Sequence, residues 1–285
     1  MPLTASTALA ARIDRAELTL VMGMADAMRA TGAHVDAWPI GGSFAVLGEA
    51  DSPFNKLIGL GFDGLPDAAE LDTIERGHAA RRARLQVELA TLADPAVGRL
   101  LTSRGYRLIG FENVLARRLD QVATAAAEGI GIVEVDADSS ARWITTVTEA
   151  FLQADVFDGP ASHESFDRAT LERTYQYFAA VPGASRLLAR LDGEVAGGAS
   201  LFMREHTALL CGAATLPASR RRGVQSALLQ ARLTRAREAG CEMAVVTTQP
   251  GSKSQENVQR AGFELIYSRA VLVKEPRGLR NLVIS

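Results

Sequence analysis

No apolar run in this chain approaches the roughly 20 residues that a membrane-spanning helix needs. Cysteine is nearly missing as well. Cys211 and Cys241 are the only two, too few for a disulfide framework and not spaced as a metal site. Both fall in or beside expected strands, where a buried structural thiol is the simplest reading, so no metal is expected. Nor is there an excess of charge. Lysine and arginine number 31 against 33 acids, a net charge of -2. A general attraction to nucleic acid or to an anionic membrane is therefore not implied. The first twenty residues mix alanines with Arg12, Asp14, Arg15 and Glu17 and show no secretory core. Together these absences point to a cytoplasmic protein.

What remains is an ordinary globular balance, 47% apolar and 22% charged, in 285 residues, a length comfortable for two domains. The most informative stretch runs from Thr207 to Arg237. Ala208–Leu216 is apolar, too short and too uniform for an amphipathic helix, and predicts a buried strand. After Gly223, the residues Val224, Ala227, Leu228 and Ala231 recur at the spacing of a helix face, and Gly240 supplies a stop. The loop between them, Pro217-Ala218-Ser219-Arg220-Arg221-Arg222-Gly223, is thus a strand-to-helix turn carrying three arginines.

Cations at that place are unfavourable unless an anion joins them. A helix N-terminus already carries about half a positive charge, and each added cation there loses roughly 0.3–1 kcal/mol. Free N–H groups, a glycine that lets the main chain approach, and guanidinium forks together make a phosphate cradle. A solvated basic run is the plainer alternative. Neither Gly-x-x-x-x-Gly-Lys-Ser/Thr nor Gly-x-Gly-x-x-Gly opens a helix here, so two common phosphate loops are excluded.

These residues resemble the acyl-CoA signature of the GNAT N-acyltransferases, Gln/Arg-x-x-Gly-x-Gly/Ala, with Arg220 first and Gly223 central. Gln225 departs from it, since a small residue is expected there. The resemblance implies acetyl-CoA or another acyl-CoA as co-substrate. Its site would comprise Ala213, Ala214, Thr215 and Leu216 on the strand, Arg220, Arg221, Arg222, Gly223, Val224, Gln225 and Ser226 on the loop and helix, and Ser254 with Asn257 beyond.

Along the chain, helices are expected at 8–31, 68–83 and 95–103, with strands at 34–38, 43–47, 57–62, 85–91 and 106–117. The second half repeats this plan. Gly105-Tyr106 against Gly262-Phe263 sets an offset of 157 residues, and the same offset superposes Gln86–Thr91 on Met243–Thr248 and Val114–Arg117 on Val271–Lys274. Further strands are expected at 132–135, 185–191, 194–202 and 207–216, with helices at 140–152, 169–178, 224–239 and 253–261. One offset serving two strands and a helix indicates a duplicated domain. At the phosphate loop it matches Arg220–Gly223 with Asp63–Pro66, which puts an acid at the helix start and disfavours phosphate. The repeat and the resemblance together imply an α/β (α+β) fold class: two tandem GNAT-like domains, each a mixed, mostly antiparallel sheet flanked by helices. The first, degenerate copy spans 1–118, a linker 119–131, and the acyl-CoA-binding catalytic copy 132–285.

The implied reaction is attack of an amine on the thioester. The acceptor would be a small-molecule or peptide amine, with no role for nucleic acid or membrane and a homodimer left open. Acid and base are the weakest part. Where the family often carries a tyrosine proton donor stands Val258, and where it often carries an asparagine stands Gly251. Tyr267 is the fallback donor. Glu205 and His206 on a hairpin, and His163 and Glu164 in a turn-rich segment, are candidate bases, though each such residue is more often a solvated loop residue than a catalyst. The alternative function is a non-catalytic acyl-CoA-binding sensor or scaffold.

Overall fold

The computed structural model describes residues 3–49, 51–120, 129–153 and 165–276. The chain forms two compact units, one built on Thr4–Val114 with the segment from Leu265 onward, the other on Leu115–Glu264. No helix among the described residues is long and apolar enough to cross a membrane.

The first unit runs α1 (Thr7–Ala30), β1 (Asp36–Ile40), β2 (Ser43–Leu47), β3 (Lys56–Ile58), α2 (Ala68–Ala80), β4 (Leu85–Ala90), α3 (Pro95–Ser103) and most of β5 (Arg107–Arg118). Its strands lie in the order β1-β2-β3-β4, antiparallel except for the parallel β3/β4 pair. Leu57, Leu71, Ile74, Val87 and Leu101 share its core. The helix starts follow from single side chains. Ser6, Asp67 and Asp94 each accept a hydrogen bond from a backbone N–H of the first turn of α1, α2 and α3.

The second unit runs β6 (Ile130–Glu134), α4 (Ser140–Leu152), α5 (Arg168–Ala179), β7 (Ala184–Leu191), β8 (Glu194–Arg204), β9 (Thr207–Leu209), β10 (Ala213–Thr215), α6 (Val224–Glu238), β11 (Met243–Thr248) and α7 (Lys253–Arg260). Its order is β6-β7-β8-β9-β11, antiparallel up to β9 and parallel between β9 and β11, with β10 paired to β8 alone. The expected single strand at 207–216 is thus two. The expected linker, 119–131, falls largely on 121–128, outside the described residues.

The last strand, β12 (Glu264–Lys274), is where sequence and structure part. The boundary expected from the sequence gives it to the second copy. It lies instead in the first unit, antiparallel to β4, with Arg269 opposite Ala90 and Val271 opposite Glu88. Reciprocally, the end of β5, from Leu115, belongs to the second unit, where β5 neighbours β11 and Leu119 N donates to Glu242 O at 3.0 Å. The first unit therefore gains β12 and keeps β5 as far as Val114.

A buried ionic cluster holds β12 in the first unit. Arg269, with 0% of its surface exposed, donates to Asp14 and Glu17 of α1 and lies 3.3 Å from Glu88 of β4. Lys56 of β3 meets the same Glu88 at 2.9 Å. Burial alone would raise the Glu88 carboxyl, but Lys56 and then Arg269 hold it down at about 2. Tyr267, 4% exposed, donates to Asp14 Oδ1 at 2.6 Å.

Removing one partner of a buried ion pair leaves the others uncompensated, at about 3–5 kcal/mol. Arg269→Met should therefore lower stability by that much in a urea titration; a loss below about 1 kcal/mol would show that β12 is held by its ladder alone. A second expectation concerns pH. His78 is buried, its Nδ1–H donates to Arg84 O at 3.1 Å, and burial lowers its pKa from 6.5 to about 4. The folded state favours neutral His78, so this stability is present above pH 6.5 and lost as pH falls toward 4. Across that window the wild type should lose roughly 3 kcal/mol more than His78→Gln, from 1.36 kcal/mol per pKa unit, in paired denaturation curves.

Candidate functional site

The site begins with one surplus residue in a strand. Leu209 faces Phe202, yet Ala213 faces Ala199. Leu210, Cys211 and Gly212 therefore stand against only Ser200 and Leu201, which is a β-bulge. Up to Leu210, whose N–H reaches Val245 O at 2.7 Å, the strand stays beside β11. Beyond it, β10 follows β8 and leaves β11 without a partner on that side. At the bulge Gly212 O accepts from Ser200 N at 2.9 Å. Because the peptide is trans and planar, the N–H of Ala213 then points the other way, into the gap between β10 and β11. Tyr175 of α5 brings its hydroxyl here, 3.8 Å from where a Cβ on Gly212 would stand.

Helix α6 starts at the mouth of this gap. Its N-cap is Gly223, with φ 85°, and no side chain caps its first turn, which contains no acid. Gly223 holds the left-handed conformation without the strain a Cβ would bring. Arg221 is left-handed as well, at φ 59°. The first-turn N–H groups, which have no carbonyl of their own helix to bond, open onto a cavity of about 470 Å³.

Of the thirteen residues expected to hold a cofactor, eleven line this cavity: Ala213, Ala214, Thr215, Arg220, Arg221, Gly223, Val224, Gln225, Ser226, Ser254 and Asn257. Leu216 and Arg222 do not. Leu216 N donates to Ala196 O at 2.9 Å, and Arg222 is drawn off to Asp192 at 2.7 Å on the β7–β8 hairpin. The expected set of three free arginines thus divides. Arg220 donates to Thr215 O and to Gln153 O at the end of α4, so it staples the cavity wall. Arg221, exposed, makes no hydrogen bond or ion pair among the described residues. Gln225, the departure from the signature, accepts from Asn257 Nδ2 at 2.9 Å across the cavity. No carboxylate lines the cavity among the described residues.

The candidate catalysts fare differently. Tyr267 belongs to the first unit, where it bonds Asp14. Glu205 and His206 form the exposed turn before β9, at the opposite end of the strand from Ala213–Thr215, about 20 Å away by strand rise; His206 Nδ1 bonds Gly240 O at 3.1 Å. His163 and Glu164 lie outside the described residues. Val258 is buried in the core with Leu229 and Phe263 and does not line this cavity. Tyr175, by contrast, has no role in the sequence reading; nothing in its helix distinguishes it from any helix tyrosine. Cys241 is buried as expected, whereas Cys211 is only half-buried, in the bulge.

The description of the matching family model is Acetyltransferase (GNAT) family, over residues 149–263. That stretch contains every residue of the cavity, from Ala150 to Asn257. It is a GNAT acetyltransferase domain. Members of the family are N-acetyltransferases that take acetyl-CoA or another acyl-CoA and act on amines. No curated protein matches the sequence. Among solved structures, a GCN5-related N-acetyltransferase from Kribbella flavida is similar at TM-score 0.65 and 21% identity, covering 94% of this chain and 96% of its own. A tandem GNAT protein from the clavulanic acid biosynthesis pathway is similar at TM-score 0.58 and 13% identity, covering 97% and 98%. A GCN5-related N-acetyltransferase from Sphaerobacter thermophilus is similar at TM-score 0.55 and 18% identity, covering 88% and 78%. At these identities the likeness is one of fold, and it extends the tandem GNAT architecture over nearly the whole chain.

The two guanidinium arrangements make opposite demands on stability. Arg220→Ala removes charge-assisted bonds to two carbonyls and should lower stability by about 1.5 kcal/mol, the low end for such bonds because the site is partly open to water. Arg222→Ala removes an exposed pair and should change it by less than about 1 kcal/mol. Urea titrations of the two variants check the order.

Proposed function

We propose that the chain is an acyl-CoA-dependent N-acyltransferase, acetyl-CoA being the simplest donor, with its working site in the second unit. One observation carries the reading: the uncapped first turn of α6 opens into an acid-free cavity beside two diverging strands. The diphosphate of the co-substrate meets the N–H groups of Val224, Gln225 and Ser226 and the guanidinium of Arg221. The pantetheine arm follows β10 into the gap. The thioester carbonyl reaches the inward-pointing N–H of Ala213, which stabilises the negative charge that grows on its oxygen as an amine attacks. The cavity supplies no carboxylate or imidazole among the described residues, so alignment of the two reactants provides much of the acceleration, within the ~7–11 kcal/mol available from proximity. Tyr175 is kept protonated by burial, which raises its pKa to about 12, and its hydroxyl donates to the departing thiolate.

Among its described residues the first unit offers no equivalent helix start. Its equivalent helix, α2, starts with Asp67, whose carboxylate already accepts from Ala69 N and Glu70 N at 2.7 and 3.2 Å. Donors that would meet a phosphate are filled, and the charge repels it. The lack of a carboxylate or imidazole among the described cavity residues also favours a second reading, in which the second unit binds acyl-CoA without turning it over.

Calorimetric titration with acetyl-CoA tests the binding. Arg221→Ala should weaken it about tenfold or more, at roughly 1.5–3 kcal/mol per charged contact, while Arg222→Ala should stay within about twofold; equal effects would discard the assignment of Arg221. Thioester consumption with a panel of primary amines tests turnover. Tyr175→Phe should lower kcat at least ~100-fold, the small end of acid–base catalysis, with acetyl-CoA affinity unaltered. Binding without consumption in the wild type would establish the non-catalytic reading.

A further inference from the structure

A second guanidinium stands behind the site, and nothing in the acyl-CoA reading uses it. Arg232 of α6 is 4% exposed. Its Nη1 donates to Cys211 O at 3.0 Å and to Ser200 O at 3.4 Å, and its Nε to Leu228 O at 3.4 Å. Burial lowers its pKa to about 10, so it is charged at neutral pH. No carboxylate pairs with it among the described residues. All its partners are backbone carbonyls.

For stability alone this is a poor use of a core position. A buried cation tied only to neutral carbonyls bears a desolvation penalty, and an apolar residue of similar volume often serves as well or better. The carbonyl it grips explains its presence. A bulge takes a peptide out of the ladder, and a buried carbonyl so released needs a donor. Cys211 O is that carbonyl. It lies one residue before Gly212, whose own carbonyl is fixed to Ser200, and the next peptide carries the Ala213 N–H that faces the gap.

Resting on the acyl-transfer reading above, we infer that Arg232 is a positioning residue: by holding Cys211 O and Ser200 O it locks the bulge, and so aims the Ala213 N–H at the thioester carbonyl. It touches neither the co-substrate's phosphates nor the reacting atoms. Its effect should therefore show on the chemical step and spare the grip on CoA. Arg232→Lys keeps a cationic donor able to reach one of the carbonyls; Arg232→Met keeps the bulk and removes every donor.

The test uses the full chain and three variants, Arg232→Met, Arg232→Gln and Arg232→Lys. Hydrogen–deuterium exchange over residues 207–216 and 243–248, titration with CoA and with acetyl-CoA, and kcat and KM on the amine panel are compared. The methionine variant should exchange faster at residues 211–214 but not at 243–248. Its CoA affinity should stay within twofold, while kcat falls at least tenfold with the KM for acetyl-CoA within threefold. Lysine should restore part of both the protection and kcat. Should methionine prevent folding, the glutamine variant, which retains an amide donor, is held to the methionine expectations in weaker form. Unchanged exchange at 211–214 overturns the inference, as does a parallel fall of kcat, CoA affinity and exchange protection throughout the unit, or a lysine variant no better than methionine. If the wild type consumes no acetyl-CoA, the catalytic reading fails by itself, and the exchange data still decide whether Arg232 holds the bulge.

Discussion

A strand that takes in one extra residue cannot keep both neighbours, and the second unit is arranged around that constraint. With Leu210–Gly212 set against Ser200 and Leu201, the chain must leave either β8 or β11. It stays with β8, and the parallel pair with β11 ends at Val245. Small residues make this choice feasible. A Cβ on Gly197 would lie 2.6 Å from Ala214 O, and one on Gly198 would lie 2.7 Å from Val147 and 3.0 Å from the Trp143 indole nitrogen. Only glycine lets β10 and α4 close on β8 from both sides. The gap is therefore a consequence of packing on the far side of the sheet as much as of the bulge itself.

The chemistry at the mouth of the gap depends on something α6 omits. Five described helices, α1, α2, α3, α5 and α7, begin with a serine or aspartate side chain that satisfies a first-turn N–H. Helix α6 begins on glycine. Its orphan donors and its half-charge are left for whatever enters the cavity, and the nearby cations add to that field rather than cancel it. In the first unit the equivalent helix, α2, begins on a capping aspartate, Asp67. One residue type at a helix start thus separates a helix whose first-turn N–H groups are left open from one whose first turn is capped.

Elements set by local pattern were legible. Helix α3 spans Pro95–Ser103 as its proline start and apolar spacing require, and the repeat offset carries β4 onto β11 and α2 onto α6. The cavity residues could be named because a glycine-led helix start after a strand is a local feature too. What could not be read depends on partners remote in sequence. Asp192 draws Arg222 away from the cavity, yet they are thirty residues apart and on different elements. Cys211 and Gly212 look like ordinary strand residues until the register of β8 is known. Tyr175 acquires meaning only when α5 is laid against that bulge, and Arg232 only when its acceptors turn out to be carbonyls.

The place of β12 is the least legible feature, since β5 and β12 carry nearly the same apolar pattern and either would complete a sheet beside β4. Charge decides between them. The place beside β4 is surrounded by Asp14, Glu17 and Glu88, and Arg269 on β12 answers all three. By the repeat offset, the residue of β5 equivalent to Arg269 is Glu112. Setting β5 there would put Glu112 in the place of Arg269, beside the buried Asp14 and Glu88 and the partly buried Glu17, and like charges at such spacing are strongly unfavourable. Even where it now lies, burial and then Glu88 raise the Glu112 carboxyl to about 8, which shows how little more negative charge this region accepts. The arginine on the last strand thus favours β12 over β5 in the place beside β4.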